Sequence, residues 1–457
     1  MVGLIRSRAV SPVEVVEAHL RRIEKLNPHL NAIVTLAEDA MDRAREAEAN
    51  PTNNPLHGLP VTIKDTIDTA GLRTTAGSRA RANHIPVDDA ASVARLKAAG
   101  AIVLGKTNTP EMAIPYETDN EVFGRTNNPH ARHLTCGGSS GGEAAAIAAC
   151  LSPAGIGSDL SGSIRVPAHF CGIAGLKPTT GRVPMDGHTP AATGPLSLGA
   201  GIGPMARHVE DLAMLFRVLA DPTQFEIRNE ALVPDPSELR GLHVGWYADD
   251  GVAPISDEIR LALASAAQAL ADAGLHVSEA RPPGISRGAH LWVELFASAA
   301  QNEIVAQYEG REDKAGPQVL ELLRRGKDAN SNFADKIRNA ERLAAAVLER
   351  EKLREDLLAW MNTTPLILAP VGATAAFEHG VERVEIGNKS ISIFRAFSYS
   401  QTLNVFGLPS LAVPVARTAN GLPVGVQVIG APFDERTVLG AGRVIEKALG
   451  GWREPEW

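Results

Sequence analysis

Residues 58–65, GLPVTIKD, and residues 91–104, ASVARLKAAGAIVL, decide the fold class. The first is a short β-branched run after a turn, which predicts a strand carrying Lys64. The second predicts a helix over Ala91–Ala99 leading into a strand at Ala101–Leu104, an α/β crossover. The alternation recurs downstream. Leu242–Tyr247 reads as a strand, a helix capped by Ser256 runs to about Ala273, and His276–Glu279 reads as the next strand. Upstream, Ser11-Pro12-Val13-Glu14 is a capping box with proline at the first helical position. A long charged helix from about Asp335 to Met361 precedes a buried strand at Leu366–Ala369, and strands at Ser410–Val415 and Gly425–Ile429 precede a last helix near Arg436–Leu449. The prediction is an α/β fold, a central mixed sheet covered by helices on both faces. No repeat, low-complexity tract or clear linker interrupts it, so residues 1–457 read as one large domain rather than three of about 150 residues. The core is expected at 50–215 and 400–450, with a variable helical covering segment at about 281–400.

Composition excludes several classes. With 44% hydrophobic and 21% charged residues the chain is a packed globular protein, not a disordered one. A net charge of −8 argues against binding nucleic acid by neutralising phosphates. No run approaches the roughly 18 apolar residues of a membrane span, and MVGLIRSRAVSP lacks a secretory apolar region, so a cytoplasmic protein is expected. Three cysteines, Cys136, Cys150 and Cys171, make neither a disulfide framework nor a zinc site. Of the 45 basic residues only 11 are lysines. Lysine is the basic residue that burial can deprotonate, so each lysine in an apolar setting is a candidate for chemistry.

Two motifs mislead. Gly100–Thr107 matches the P-loop pattern, but its four intervening residues, Ala101–Leu104, form an apolar strand whose N–H groups belong to the sheet rather than to phosphate. Gly137–Gly141 and Gly138–Gly142 both match Gly-x-Ser-x-Gly, with His379 as a conceivable downstream partner. No apolar strand leads into Gly137, as a nucleophile elbow requires.

Three features remain. Lys64 ends a strand flanked by Val61, Ile63 and Ile67, where an arbitrary lysine would snorkel. Gly137-Gly138-Ser139-Ser140-Gly141-Gly142 runs into a helix at Glu143–Cys150, and Ser140 could be a simple N-cap. Two glycines on each side exceed what a cap needs and suggest close backbone approach. Gly157-Ser158-Asp159-Leu160-Ser161-Gly162-Ser163-Ile164-Arg165 reads as a second Ser/Gly turn, whose consecutive N–H groups could point at one oxygen.

These blocks together resemble the amidase signature family. So do Phe170–Thr179, Gly58–Asp65, Gly105–Asn108, Gly203–Arg207 and Gly421–Gln427, so the resemblance spans nearly the whole chain and is weakest at about 220–400. It implies a single amidase-signature domain and a Ser–Ser–Lys triad: Ser163 as nucleophile, Ser139 as the bridging serine on a cis peptide, and Lys64 as base. It also implies an oxyanion hole from the N–H groups of Leu160, Ser161, Gly162 and Ser163. Ser161 stands where the family usually has glycine, and the opening helix looks short by one or two turns. The chemistry is coherent without the name. A serine hydroxyl needs a neighbouring base. A lysine serves as one only if its pKa falls by about three units, a cost of about 4 kcal/mol that burial beside serines could supply. Asp65 should therefore face away from the Lys64 amine, because successive strand side chains alternate. Ser140, Ser158, Asp159 and Arg165 are expected to support the site, the last two as an ion pair. His169 offers a rival Ser–His arrangement, but its apolar setting favours a satisfied core histidine.

The implied activity is cofactor-free and metal-free hydrolysis of small-molecule amides, with esters and carbamates as further substrates, by an acyl-enzyme route. The alternative is the amidase subunit of a tRNA-dependent amidotransferase, passing ammonia to a partner. The stretch Thr109–Asn120 looks more like the stand-alone amidases. A non-catalytic binding protein is disfavoured because all three triad residues are present, and a homodimer is left open. Substrate contacts are expected from Met112–Thr118, including Met112 and Tyr116, from Gly137, Gly138 and Arg207, and from Trp292, Phe296, Phe394 and Phe397. Those side chains point to an apolar or aromatic substrate group.

Overall fold

Every residue of Pro60–Lys64 and of Ile102–Thr107 is buried, which marks them as inner strands of a sheet covered on both faces. The computed structural model describes residues 1–220, 232–329 and 333–456. The strands are β1 (Ile33–Leu36), β2 (Pro60–Lys64), β3 (Ile102–Thr107), β4 (Asn127–Asn128), β5 (Ala131–Thr135), β6 (Ala154–Asp159), β7 (Ala174–Lys177), β8 (Gly201–Ala206), β9 (His243–Trp246), β10 (His276–Glu279), β11 (Leu366–Pro370), β12 (Arg383–Ile386), β13 (Lys389–Ser392), β14 (Ser410–Arg417) and β15 (Pro423–Gly430). Eleven of them form one sheet in the order β1-β3-β2-β6-β8-β7-β14-β15-β11-β9-β10. It is mixed: β2 pairs in parallel with β3 and β6, whereas β6 runs antiparallel to β8. Helices flank the sheet, giving the single α/β domain expected.

The helix Pro12–Leu30 begins at the capping box, with Glu14 N–H donating to Ser11 and the Glu14 carboxylate accepting from Ser11 N–H. Ala91–Ala98 leads into β3, and Asp257–Asp272 connects the parallel strands β9 and β10. Two short helices, Gly141–Ala148 and Arg165–Cys171, have every residue buried. They begin within the last residues of the two Ser/Gly segments, at Gly141 and Arg165, which buries most of those segments with them. Gly100–Thr107 ends in the strand β3 as expected. A side chain at Gly105 would meet the Thr35 carbonyl at 2.2 Å, so this backbone is sheet and not a phosphate cradle.

The sequence reading differs from the structure at Gly157–Asp159, which is the end of strand β6 and not a turn. Glycine stands in that strand because a Cβ on Gly157 would meet Ser140 Oγ at 2.7 Å. Strands β7 and β8 have the same explanation: a Cβ on Gly203 would fall 2.0 Å from the Leu176 carbonyl. Close approach between neighbours, rather than a β-branched pattern, shapes this part of the sheet.

Candidate active site

Lys64 is the last residue of β2 and has no solvent-accessible surface. Its Nζ donates to Ser139 Oγ at 2.7 Å and to Ser158 Oγ at 3.0 Å. Ser158 reaches it from the neighbouring strand, since β2 and β6 run side by side from Thr62 opposite Gly155. Ser139 comes from the segment before the helix Gly141–Ala148, and the Gly138–Ser139 peptide is cis. Its carbonyl accepts from Thr109 Oγ1 at 2.9 Å. A Cβ on Gly138 would meet the Pro115 carbonyl at 2.8 Å, so residues 115–117 lie directly over this turn. Ser140 ties the two Ser/Gly segments together: its N–H donates to the Ser163 carbonyl at 3.1 Å, and its hydroxyl accepts from Ser158 N–H at 3.3 Å. Ser163 is 7% exposed, whereas Lys64 and Ser140 are sealed. Ser158 is 5% exposed and Ser139 1%, so solvent touches the edge of this group of serines at Ser163 and Ser158.

Burial lowers the Lys64 amine from 10.5 to about 7, against the pull of Asp159 and Glu143. Asp65 faces the other way, as strand alternation predicts: its Oδ2 accepts from Thr75 N–H at 3.0 Å and from the Thr75 hydroxyl. Glu143 is held by hydroxyls, accepting from Thr62 Oγ1 and, at 2.8 Å, from Thr107 Oγ1. Burial raises that carboxyl to about 7. Burial also opposes charge on Asp159, but the Arg165 guanidinium holds this carboxylate well below the usual range. The expected pair is present, with Nη2 to Oδ1 at 3.0 Å and both side chains fully buried. Arg165 also donates to Gln427 Oε1 at 2.8 Å and Asn404 Oδ1 at 2.5 Å, so the charge is satisfied on every side.

The loop Leu160–Ser163 is fixed by its carbonyls. Trp292 Nε1–H donates to the Leu160 carbonyl at 2.7 Å, and Tyr116 OH donates to the Ser161 carbonyl at 2.8 Å. In a trans peptide the N–H opposes the C=O, so these two bonds set where the Ser161 and Gly162 N–H groups point. Gly162 N–H goes to Asp159 Oδ1 at 2.8 Å. It is engaged inside the protein, which removes it from the four donors expected for an oxyanion and leaves Leu160, Ser161 and Ser163. Ser161 lies outside the left-handed region that Gly162 occupies at φ 106°, so a side chain is tolerated there.

Other expected contacts are redistributed. Arg207 does not reach this site. Its Nη1 donates to the Ile147 and Ser152 carbonyls at 3.2 and 3.0 Å, and its guanidinium lies 5.3 Å from the Trp452 ring. It closes the end of the helix Gly141–Ala148, whose last carbonyls need donors. Met112 packs in a satellite cluster with Ala76, Ile304 and Tyr308. Gly137, at φ 80°, has its carbonyl bonded by Thr118 Oγ1 at 2.8 Å. Tyr116 packs against Phe397 with ring centroids 4.4 Å apart and the planes tilted by 41°, and Trp292 meets Phe394 and Phe296 at 5.4 and 5.8 Å. The aromatics therefore gather beside the loop. His169 is a satisfied core residue: Nδ1 accepts from Gly425 N–H at 2.7 Å and Nε2 lies 3.1 Å from the Thr374 carbonyl. The sequence reading missed His188, whose Nε2 stands 2.8 Å from Ser158 Oγ. Its only textual signal is the bracket Gly187-His188-Thr189-Pro190, a turn without periodicity.

Among the described residues no group of three or more His, Cys, Asp or Glu is arranged to hold a metal ion, and no helix is long and apolar enough to cross a membrane. The amidase family model matches residues 14–439. A glutamyl-tRNA(Gln) amidotransferase subunit of Roseiflexus sp. (strain RS-1) is 36% identical, over 96% of this chain and 93% of that protein. An acylamidase of Rhodococcus erythropolis is 32% identical over 96% of this chain and 92% of its own length. Among solved structures, a chain of a vestigial protein complex bearing on the origins of an s-triazine catabolic enzyme superposes with a TM-score of 0.88, at 29% identity over 99% of this chain and 98% of that one. The chain belongs to the amidase signature family of amide hydrolases.

Proposed function

We propose that this chain hydrolyses small carboxylic amides through an acyl-enzyme on Ser163, with Ser139 and Lys64 as its proton relay. The observation that carries the reading is the buried Lys64 amine, 2.7 Å from Ser139 Oγ and lowered to about 7. Neutral Lys64 takes the Ser139 proton while Ser139 takes the proton of Ser163, whose Oγ attacks the carbonyl carbon. The N–H groups of Leu160, Ser161 and Ser163 receive the oxygen that becomes negative. The C–N bond then breaks. Ser139 protonates the departing nitrogen and is refilled from the Lys64 ammonium. Water repeats the sequence in place of Ser163 Oγ and releases the acid. Esters and carbamates, with better leaving groups, fit the same route. The ring cluster of Tyr116, Phe397, Trp292 and Phe394 favours an apolar or aromatic substrate group.

A second reading has the same site releasing ammonia for a protein partner, and the 36% identity to a glutamyl-tRNA(Gln) amidotransferase component favours it. The purified chain, alone, incubated with a nitroacetanilide, a panel of aryl amides and glutamine, separates the two. Turnover of aryl amides by the isolated chain is expected. Silence on every small amide, with activity only in a complex, would replace the first reading by the second. Turnover with no covalent adduct on Ser163 would defeat the relay.

A further inference from the structure

We propose that His188 is a positioning residue for this reaction: it holds the Ser158 hydroxyl as a donor to its own ring, so that the Lys64 lone pair is left for Ser139. The inference rests on the reading of Lys64 as base and goes beyond it in saying what aims that base.

The argument is one of donors and acceptors. His188 Nδ1 lies 2.7 Å from the Pro190 carbonyl. A carbonyl only accepts, so Nδ1 carries the ring proton and Nε2 presents its lone pair. Nε2 lies 2.8 Å from Ser158 Oγ, which must therefore donate to it. A serine hydroxyl has one hydrogen, and this one is engaged. The contact between Lys64 Nζ and Ser158 Oγ at 3.0 Å is then an N–H of lysine donated to the serine oxygen. A neutral amine has two N–H bonds and one lone pair. The ammonium donates to Ser139 Oγ at 2.7 Å; once it is neutral and keeps an N–H on Ser158, its lone pair can turn to the Ser139 hydroxyl across that same contact. Without the ring, the Ser158 hydroxyl could turn and donate into that lone pair, in competition with Ser139.

The backbone holds the ring in register with the amine. His188 bridges Ile67 in antiparallel fashion, Thr189 N–H donates to the Thr66 carbonyl at 2.8 Å, and Asp68 N–H donates to the Gly187 carbonyl at 2.8 Å. Residues 66–68 follow Lys64 almost directly. Burial and the neighbouring Lys64 push the His188 ring down to about 4, which keeps Nε2 an acceptor wherever the amine is neutral.

The test uses the full chain and steady-state hydrolysis of a nitroacetanilide. His188→Leu is expected to lower kcat about 20-fold with KM within about threefold, the pattern of a misdirected group rather than a lost contact with substrate. His188→Gln, which can present an amide oxygen near the place of Nε2, is expected to recover kcat to within about threefold of the parent. In a Ser158→Ala background, adding His188→Leu should change kcat less than about twofold, because the two act through one hydroxyl. Parental kcat in His188→Leu, no recovery in His188→Gln, or full additivity with Ser158→Ala would each overturn the proposal. Lys64→Ala in the same assay tells its failure from that of the underlying reading. If Lys64→Ala is active, Lys64 is not the base. If it is inactive while His188→Leu is unimpaired, only the positioning role falls.

Discussion

The Lys64 amine lies 2.7 Å from the Ser139 hydroxyl in a fully buried site, and among the described residues no carboxylate is salt-bridged to it. A carboxylate partner would hold the proton on lysine, whereas burial among hydroxyls expels it. In the proposed relay Lys64 acts only when neutral, so kcat/KM for an amide should rise with pH through an apparent pKa near the 7 to which burial brings this amine. Lys64→Ala should cost about 10³-fold and remove that limb, within the usual range for losing a positioned base. A pH–rate series from 5 to about 9 checks both. A flat wild-type profile contradicts the assignment.

Ser163→Ala should abolish the acyl-enzyme and lower turnover by at least about 10⁴-fold, since nucleophile loss leaves only binding and oxyanion effects. Intact-mass measurement after treatment with a fluorophosphonate reads this directly. The parent should gain one adduct at Ser163 and the variant none. A variant still labelled at a serine of the site would move the nucleophile to Ser139 or Ser158.

Much of this site was legible because local chemistry encodes it. Lys64 stands in a β-branched run and Ser139 in glycine-rich text before a buried helix, so that strand and that turn follow from short windows, whereas the text before Ser163 reads as a turn where Gly157–Asp159 is strand, and the roles of the three residues came only from the family resemblance. The Asp159–Arg165 pair is six residues apart and was equally readable. What escaped depends on contacts across the fold. Nothing near Trp292 announces that its indole meets the Leu160 carbonyl, 132 positions away. Arg207 sits in text that resembles the family's, yet its partners, the Ile147 and Ser152 carbonyls, are a helix end visible only once packed. Strand β8 was unreadable because its Gly203 answers to the neighbouring Leu176 carbonyl rather than to a pattern of its own.

The indole of Trp292 determines one peptide plane of the loop before Ser163. Trp292→Phe keeps most of the ring packing against Phe296 and Phe394 but loses the donor to the Leu160 carbonyl. The Ser161 N–H, on the opposite side of that peptide, then loses its fixed direction. A fall in kcat of about tenfold with little change in KM is expected, less than the loss of an oxyanion donor outright. Steady-state kinetics on one aryl amide decide it. An effect confined to KM would make Trp292 a substrate contact instead.

Arg165→Met tests the buried pair. The methionine leaves the Asp159 carboxylate without its guanidinium, though Gly162 and Ile164 N–H still donate to it. Removing one partner of a buried pair costs about 3–5 kcal/mol, chiefly from the stranded charge. Urea unfolding should show that loss at pH 7. Because Gly162 N–H shares the same carboxylate, activity should fall along with stability. The variant Asp159→Asn with Arg165→Met, which strands no charge, should recover part of the stability.

Lys64, Lys106 and Lys177 are all fully buried, and burial lowers them to about 7, 8 and 7 from an ordinary 10.5. A base whose folded pKa lies below its unfolded one destabilises the fold most where the folded chain must also carry the proton. That penalty is full below the folded value and fades as pH rises toward 10.5. Replacing Lys64 by Met removes it. Relative to the parent, Lys64→Met should therefore look most stable near pH 6 and lose that advantage above pH 7, by about 1.4 kcal/mol per pH unit for one proton difference. The comparison between two chains matters, because Cys136 and Cys171 are raised by burial and pull the stability of both downward once unfolded thiols ionise near 9. Urea midpoints for the two chains at pH 6, 7.5 and about 9 measure the difference. A gap that stays constant across that range would mean that Lys64 enters the folded state without losing its proton affinity.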